Sequence, residues 1–377
     1  MRRMSWILLL AVAGLAMLPQ AALAGQFKAP VYYAAPGLPL GMVTADFDGD
    51  TNLDLAVADF GDGVVRTLLG RGDGTFRKGP FFSIAAPYAP LALAVGDFNG
   101  DGVLDLAVVE YNGPGDGRLG IFLGKGDGTF HEFANYNLGY QPSSAAVADF
   151  NGDGHLDVAV TNQGVNGKGS VMVFFGKGDG AFEPPAIYNL GAYPDSVAAG
   201  DLNGDGRPDL AVAVGDTGVA VLLNKGTGKF GRAVIYPVNP AFVTSVTIAE
   251  LNHDNYPDLV VTTFQAVGVL LGKGAGRFGK AAIYSTAALT REANPYGVVV
   301  ADFNLDGNPD IATVITQGNS GLFYGKGDGT FKAVVPIKLN NNRGGQGIAS
   351  GDFNKKGAPD LAILETNGYV ACLINTY

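Results

Sequence analysis

The stretch Asp149-Phe150-Asn151-Gly152-Asp153-Gly154-His155-Leu156-Asp157 decides the fold of this 377-residue chain. Its side-chain oxygens fall at relative positions 1, 3, 5 and 9, and a glycine stands at position 6, where the backbone must bend sharply. Ca²⁺ takes about six to eight oxygen ligands, which alternate residues of a tight loop can supply, with position 7 contributing its backbone carbonyl. The same stretch returns, with small changes, at Asp46, Asp97, Asp201, Glu250, Asp302 and Asp352.

The spacing of these stretches predicts a repeat architecture. Their first residues are separated by 51, 52, 52, 49, 52 and 50 residues, a period typical of a solenoid or propeller. In the third unit the pattern predicts strands at 144–148, 156–161 and 170–175, then a glycine turn at 176–182 and a fourth strand through Ile187 and Tyr188. Four short antiparallel strands joined by turns make one blade, so we predict an all-β propeller.

The competing Ca²⁺ motif is the EF-hand. That motif needs flanking helices and a bidentate Glu at position 12 of its loop. Val160 occupies position 12 here, inside a β-rich run. The sequence therefore favours a loop between two strands.

The two ends of the chain predict a closed ring of seven blades. The seventh unit stops at Tyr377 in its third strand, without a glycine turn or a fourth strand. In the complete units the phenylalanine of the turn stands six residues before a second apolar residue, and Phe27 and Tyr33 keep that spacing. Residues 26–34 are therefore expected to form the outer strand of the last blade, beside residues 368–375, and to cover an otherwise open edge.

Residues 1–24 read as a cleaved secretory signal peptide, which predicts a secreted, periplasmic or cell-surface protein. Arg2 and Arg3 precede an apolar run at residues 6–18, and Ala22-Leu23-Ala24 resembles a cleavage site. An uncleaved anchor is the alternative, although the run is short for a membrane span. Residues 25–377 are expected to form a single domain without a membrane span.

Cysteine content and charge narrow the function classes. The chain has one cysteine, Cys372, so an exported fold cannot rely on an internal disulfide. The formal net charge of −10 argues against nucleic acid as a partner, because that partner requires a basic face. The seven loops hold 21 of the 35 acidic residues, which is consistent with ion sites.

The repeat resembles a known family. The pattern D-F-N-G-D-G-x-x-D after a short apolar strand, followed by L-A-V and later by L-G-K-G-D-G-T-F, is similar to the FG-GAP/VCBS repeat of integrin α-subunit propellers and many exported bacterial proteins. The resemblance covers nearly all of residues 26–377 and implies that Ca²⁺ sits in the hairpin loops between the first and second strands. Family members include adhesion receptors, lectins and propeller domains of polysaccharide-cleaving enzymes, so the family does not decide the function.

Up to six of the seven loops are expected to bind Ca²⁺. Four of them have Asp, Asn, Asp and Asp at positions 1, 3, 5 and 9 with glycine at position 6. Their predicted ligands are Asp97, Asn99, Asp101, Asp105, Asp149, Asn151, Asp153, Asp157, Asp201, Asn203, Asp205, Asp209, Asp302, Asn304, Asp306 and Asp310.

The other three loops depart from this pattern at the bend or at position 5. Thr51 stands at the bend of the first loop and Asn255, which tolerates left-handed dihedrals, at the bend of the fifth. Lys356 stands at position 5 of the seventh loop, between Asp352 and Asp360, and its ammonium is expected to take the place of an ion there. The predicted ligands of the first and fifth loops are Asp46, Asp48, Asp50, Asp54, Glu250, Asn252, Asp254 and Asp258.

No catalytic constellation stands out, and we expect a protein that is not an enzyme. The three histidines, His131, His155 and His253, lie in different repeats, and no nucleophile elbow, H-E-x-x-H or phosphate loop occurs. A Ser-His-Asp set that meets only in space is not excluded by the sequence. The tripeptide at 71–73 (RGD) occupies the place of a glycine turn in sister blades, so we interpret it as structural.

We call the seven acidic loops the ion loops. A binding surface is expected on the face opposite them. The loops that lead into the inner strands carry aromatic residues, which suit sugar stacking or hydrophobic peptide anchors, or else pack between blades. These candidate ligand-binding residues are Tyr88, Tyr140, Tyr193, Phe242 and Tyr296. We therefore predict a monomeric, calcium-stabilised binding or adhesion module for an extracellular glycan or protein. A polysaccharide lyase or hydrolase and a non-binding scaffold are the alternatives.

Overall fold

The computed structural model describes residues 26–240, 242–290, 294–339 and 344–377, so the predicted signal peptide lies outside the described residues. The described residues form seven four-stranded antiparallel sheets and contain no helix. None of their elements is therefore a helix that could cross a membrane. The predicted all-β architecture of seven blades is confirmed.

The strands follow the predicted repeat in order. The first strand, β1 (Val31–Ala34), belongs to the last blade. Blades 1 to 3 run from the inner to the outer strand as β2 (Pro39–Ala45), β3 (Asp54–Asp59), β4 (Val64–Gly70) and β5 (Phe76–Ser83); β6 (Ala89–Gly96), β7 (Asp105–Tyr111), β8 (Gly117–Gly124) and β9 (Phe130–Gly139); and β10 (Pro142–Ala148), β11 (Asp157–Asn162), β12 (Ser170–Phe174) and β13 (Ala186–Asn189).

The remaining four blades repeat this order. They are β14 (Pro194–Gly200), β15 (Asp209–Val214), β16 (Gly218–Leu222) and β17 (Val234–Pro237); β18 (Ser245–Ala249), β19 (Asp258–Thr263), β20 (Ala266–Leu270) and β21 (Ala282–Ser285); β22 (Pro295–Ala301), β23 (Asp310–Ile315), β24 (Ser320–Phe323) and β25 (Val335–Ile337); and β26 (Gly345–Gly351), β27 (Asp360–Glu365) and β28 (Tyr369–Leu373), completed by β1.

The N-terminal strand closes the ring as predicted. β1 pairs antiparallel with β28, with Tyr33 opposite Val370. Beyond the strand, the backbone N–H of Lys28 donates to the carbonyl of Ile374 at 2.8 Å, and Phe27 forms a bridge with Asn375. The seventh blade thus takes its outer strand from the opposite end of the described chain.

The hydrophobic core lies between neighbouring blades. The second and third strands of a blade are apolar, and in β11 and β12 every residue is buried. Side chains on the two faces of these strands pack against the blades on either side; Val109 and Ile121 of blade 2, for example, share a cluster with Val160 and Met172 of blade 3. Each blade is therefore stabilised by its neighbours, as the repeat pattern predicts.

Aromatic rings join each blade to the next. Phe98, the second residue of the ion loop in blade 2, packs edge-on against Phe182 in the glycine turn of blade 3, with ring centroids 5.6 Å apart. Tyr136 on the outer strand of blade 2 contacts the same Phe182 ring at 5.8 Å, and its hydroxyl accepts the N–H of Phe182 at 2.8 Å. The N–H of Gly180 donates to the carbonyl of Phe98 at 2.9 Å. The phenylalanine of each glycine turn and the apolar residue six positions after it therefore both take part in contacts between neighbouring blades.

Candidate functional sites

The first carboxylate of each ion loop organises the loop backbone. In the third loop Asp149 Oδ1 accepts the N–H groups of Gly152 and Asp153, at 2.7 and 3.2 Å, and Oδ2 accepts that of Gly154 at 2.9 Å. Gly152 and Gly154 have φ values of 79° and 88°, which glycine adopts without steric cost. The glycines of the motif therefore let the loop curl around the carboxylate at position 1.

The carboxylate at position 9 is fully buried and holds three parts of the blade together. Asp157 Oδ2 accepts the N–H of Phe150 at 2.8 Å, and Oδ1 accepts the N–H of Gly176, beyond the third strand, also at 2.8 Å. Burial raises the pKa of Asp157 to about 6, although these two hydrogen bonds lower it in part. The equivalent residues accept the same pair of N–H groups in the other blades: Asp54, Asp105, Asp209, Asp258, Asp310 and Asp360.

The first loop has the highest density of acidic oxygens. Oxygen atoms of Asp46, Asp48 and Asp50 lie within 4.8 Å of one another, so they could hold a metal ion. Asp48 Oδ1 is buried without a hydrogen-bond partner, and burial together with the charge of Asp50 raises the pKa of Asp48. Oxygen-rich sites of this kind suit a hard cation, so the residues present fit Ca²⁺.

The bend at position 6 is left-handed even where glycine is absent. Thr51 has a φ of 69° and Asn255 a φ of 64°, close to the 88° of Gly154. A β-branched residue such as threonine rarely adopts this region, so Thr51 holds local backbone strain. Its N–H donates to Asp46 Oδ2 at 2.7 Å, which partly offsets that strain.

Basic side chains reach two of the ion loops that the sequence assigns to Ca²⁺. In the fourth loop the guanidinium of Arg207, at position 7, pairs with Asp205 at position 5. In the first loop Arg77 Nη2 lies 3.0 Å from Asp48 Oδ2. In the seventh loop Lys356 is exposed, and its backbone N–H donates to Asp352 Oδ1 at 3.0 Å. The fourth loop thus differs from the second and third loops, although all three share the same acidic pattern.

Replacing Arg207 with alanine is expected to strengthen Ca²⁺ binding in the fourth loop, because Asp205 then no longer pairs with a guanidinium. An exposed ion pair is worth about 0.2–1 kcal/mol, so the dissociation constant should fall by at most about fivefold. Isothermal titration with Ca²⁺ measures this change, and Arg232→Ala, an exposed arginine of the same blade, serves as the control. An affinity that is unchanged or weaker would contradict the interpretation.

A cavity of about 680 Å³ occupies the central channel and is lined by the inner strand of every blade. Most of these strands begin with a β-bulge, at which one residue has no partner in the ladder; Asp195, for example, is skipped between Pro194 and Ser196. A bulge re-aims a side chain, and here the bulged residues line the cavity. They are Leu40, Leu91, Ser143, Ser144, Asp195, Tyr296 and Gln346.

Polar and aromatic groups gather on one side of this channel. Gln163 Nε2 donates to Asp195 Oδ1 at 2.7 Å. The pKa of Asp195 is raised to about 6, chiefly by burial; the hydrogen bond from Gln163 limits the rise, and the charge of Asp216 adds to it. Burial and the charge of Asp195 also raise the pKa of Tyr296. Asp195 therefore lies near enough to Tyr296 for its charge to oppose ionisation of the phenol.

Two cavity-lining residues that precede inner strands have left-handed backbone conformations. We call this end of the cavity, where the inner strands begin, the channel mouth. Phe242 has a φ of 81° and Gln141 a φ of 52°. The ring of Phe242 is 59% exposed, although the left-handed conformation is unfavourable for a bulky residue. Strained backbone of this kind clusters at ligand sites, so Phe242 and Gln141 are candidate functional residues.

The five predicted ligand-binding aromatics do not share one site. Phe242 and Tyr296 line the cavity, whereas Tyr88, Tyr140 and Tyr193 are outside its lining. Tyr88 is engaged within its own blade, because its hydroxyl donates to Asp116 Oδ1 at 2.5 Å and Arg118 lies over its ring.

Tyr140 and Tyr193 face neighbouring hairpin loops. Cβ atoms built at Gly115 and Gly167 would lie 3.6 and 3.7 Å from their respective rings. Asp195, Gln163 and Gln346 also line the cavity, although the sequence pattern did not indicate them. A usable signal existed for Asp195, which directly follows the proline at the start of the inner strand, as Tyr296 does.

Comparison with known proteins agrees with the repeat. The FG-GAP-like repeat family matches residues 46–108, 109–160, 149–212, 201–261, 250–313 and 302–363. Integrin alpha-V of Gallus gallus is 28% identical over 207 residues, which cover 47% of this chain and 20% of that protein. Phosphatidylinositol-glycan-specific phospholipase D of Homo sapiens is 33% identical over 164 residues, which cover 35% of this chain and 19% of the enzyme. These matches each span about a fifth of the relative.

Solved structures with the same fold are more distant in sequence. BBS1N, crystallised in complex with ARL6DN, superposes with a TM-score of 0.65 at 13% identity and covers 93% of this chain and 97% of its own. A lectin of Agrocybe aegerita described as recognising non-reducing terminal N-acetylglucosamine gives 0.56 at 20% identity, covering 88% and 87%. These structures support the propeller fold. The six family matches, which span residues 46–363, show that the chain belongs to the FG-GAP-like repeat family.

Proposed function

We propose that this protein is an exported, calcium-stabilised propeller that acts as a binding or adhesion module for an extracellular glycan or protein. The observation that carries the proposal is the channel mouth, where Phe242, Tyr296 and Asp195 line a cavity of about 680 Å³. Ligand pockets in proteins measure about 300–1,000 Å³ and combine aromatic walls with a few polar groups. Kinship with integrin α propellers supports a binding or adhesion role in general.

Loss of aromatic side chains at the channel mouth is expected to weaken binding. Tyr296→Ala and Phe242→Ala should each reduce affinity by about tenfold, since truncation of a central aromatic anchor commonly costs more than 1 kcal/mol. Immobilised chitin, cellulose, pectin, hyaluronan, collagen and fibronectin serve as probes for the protein spanning residues 25–377. Tyr140→Ala and Tyr193→Ala are the matched controls, because these rings lie outside the cavity lining. Binding lost only in the control variants would place the site elsewhere.

A non-catalytic role is part of the proposal. An activity assay tests this part of the proposal, because the chain is similar to a region that covers 19% of a phospholipase D. Release of sugar from the polysaccharide probes would support the alternative of a lyase or hydrolase. Export through the signal peptide at residues 1–24 is tested by N-terminal sequencing of the protein recovered outside the cytoplasm.

The acidic loops are proposed to hold Ca²⁺ in up to six blades. A bound ion would supply positive charge to the carboxylates at positions 1 and 5. These loops also carry the inter-blade contacts, because the carbonyl of Phe98 in the second loop accepts a hydrogen bond from blade 3. The same geometry recurs where Gly128 of blade 2 donates to the carbonyl of Phe47 at 3.0 Å. Order in the ion loops should therefore stabilise the ring as a whole.

Chelation of Ca²⁺ is expected to lower the melting temperature of the protein spanning residues 25–377. An ion at tenfold its dissociation constant contributes about 1.4 kcal/mol, so several sites together approach the total stability of a domain, about 5–15 kcal/mol. Differential scanning calorimetry with Ca²⁺ and with a chelator measures the change, and Mg²⁺ added back after chelation is the control. A melting temperature that chelation leaves unchanged would contradict the calcium assignment.

A further inference from the structure

The ionisable group at the channel mouth has an unusual environment. Asp195 lies at a β-bulge near the start of β14, where it has no partner in the ladder with β15. Gln163 donates to one carboxylate oxygen. Across the described part of the chain, none of the observed ion pairs involves Asp195. This carboxylate is therefore held in place without a cationic partner.

Within the described parts of the chain, the cavity lining holds no cation that could pair with Asp195. Among the described residues, no lysine, arginine or histidine lines the cavity. The charged group that acts on Asp195 from the neighbouring hairpin is Asp216, another carboxylate. A partly buried carboxylate without a counter-ion is unfavourable, and a cationic ligand group would relieve that cost. The charge pattern therefore points to a positively charged group on the ligand.

The other lining groups fit a sugar better than a single basic side chain. Phe242 and Tyr296 expose 59% and 50% of their surfaces, and aromatic faces attract cations and pack against apolar ring surfaces. Gln346 lines the cavity and its Oε1 has no hydrogen-bond partner, so rotation of the amide would let it accept a ligand hydroxyl or amine proton. The volume of about 680 Å³ is that of a site for a whole small molecule, which one lysine side chain would not fill.

We propose that the side of the channel mouth formed by Asp195, Phe242 and Tyr296 binds an amino sugar unit whose amine is free, with its ammonium on Asp195. The unit stacks on an aromatic ring, and its hydroxyls meet the glutamine side chains. This inference rests on the proposed binding function and narrows it to a glycan that carries positive charge.

A matched pair of oligosaccharides tests the inference. A β-1,4-linked glucosamine tetramer and its fully N-acetylated form differ only in the acetyl groups, which remove the charge. Isothermal titration at pH 6.5 with the protein spanning residues 25–377 and Ca²⁺ present should show binding of the free-amine tetramer at least tenfold tighter. Asp195→Asn should remove most of that preference and leave the affinity for the N-acetylated tetramer unchanged.

The controls separate the amine inference from folding and from the broader function. Asp216→Asn changes a nearby carboxylate outside the cavity lining and should reduce the affinity for the free-amine tetramer by a smaller factor than Asp195→Asn. Thermal melting of each variant shows whether it folds, and Gln163→Ala, which frees Asp195 without removing its charge, gives a second test if Asp195→Asn unfolds. In a folded Gln163→Ala variant the preference for the free amine should persist.

The possible contrary results have different meanings. Equal affinity for both tetramers overturns the amine inference. Tyr296-dependent binding of another probe in that case leaves the proposed function standing. Tighter, Asp195-dependent binding of an oligolysine peptide assigns the cation to a polypeptide and overturns the sugar. If no probe binds at all, both the inference and the proposed function fail.

Discussion

Replacing Asp157 with alanine is expected to lower the free energy of unfolding by about 3–5 kcal/mol, even in the presence of a chelator. The buried N–H groups of Phe150 and Gly176, each 2.8 Å from the carboxylate, would lose their acceptor. An unsatisfied buried donor costs about 1–3 kcal/mol, and both donors lie at the end of the blade where β11 begins and β12 ends. Chemical denaturation with and without calcium measures this loss.

Asp153→Ala is the matched control, because it removes a carboxylate from the same loop at position 5. Asp153 is exposed and accepts the N–H of His155 at 2.9 Å and the amide of Asn151 at 2.8 Å. Its loss should cost less than about 1 kcal/mol in chelator, as for an exposed hydrogen bond, but should reduce the stabilisation by Ca²⁺. If Asp157→Ala is destabilising only when Ca²⁺ is present, its main role is that of a metal ligand.

Removing residues 25–34 is expected to open the ring. The truncation exposes the edge of β28, and it takes away Tyr33, whose ring lies 5.6 Å from that of Phe76 in blade 1 and whose hydroxyl accepts the N–H of Phe76. It also removes Phe27, which packs edge-on against Phe303 of blade 6. Loss of a core aromatic costs about 3–5 kcal/mol. Phe27 and Tyr33 are only partly buried, so each should cost less, but their loss together with a whole strand should still reach about half the stability of a typical domain, about 5–15 kcal/mol.

The predicted outcome is a fall in melting temperature of more than about 10 °C, with aggregation through the exposed edge. Thermal melting and size-exclusion chromatography measure both effects. A synthetic peptide of residues 25–34 added in trans should restore the monomer, because a strand can be supplied by another chain. Tyr33→Phe removes only the hydroxyl and should cost about 1 kcal/mol. A truncated protein as stable as the full domain would contradict the closure mechanism.

The sequence predicts the fold because its local signals repeat: the acidic loop occurs seven times and the glycine turn six times. One short apolar run does not distinguish a strand from a helix segment, but a period near 51 residues fixes four strands per unit and assigns residues 26–34 to the last blade. The structure confirms both predictions.

The sites are less readable, because different roles select the same residue types. An aspartate at position 9 suits a metal ion and also suits two buried N–H donors, so the pattern alone did not reveal the hydrogen bonds of Asp157. The ion pair of Arg207 depends on side-chain conformation. Asp195 reaches the cavity through a bulge, and a one-residue irregularity inverts which face a side chain points to.

The β-bulges place the cavity-lining residues outside the strand pairing that builds the blades. A bulged residue such as Tyr296 or Leu40 has no partner in its ladder, so its identity can change while the pairing on both sides is kept. The channel mouth is thus a set of nearly independent positions, about one for each blade, on a scaffold that stays the same. For the proposed binding function, single substitutions at these positions can change the ligand preference. A family repeat pattern does not record such changes, because it contains only what the blades have in common.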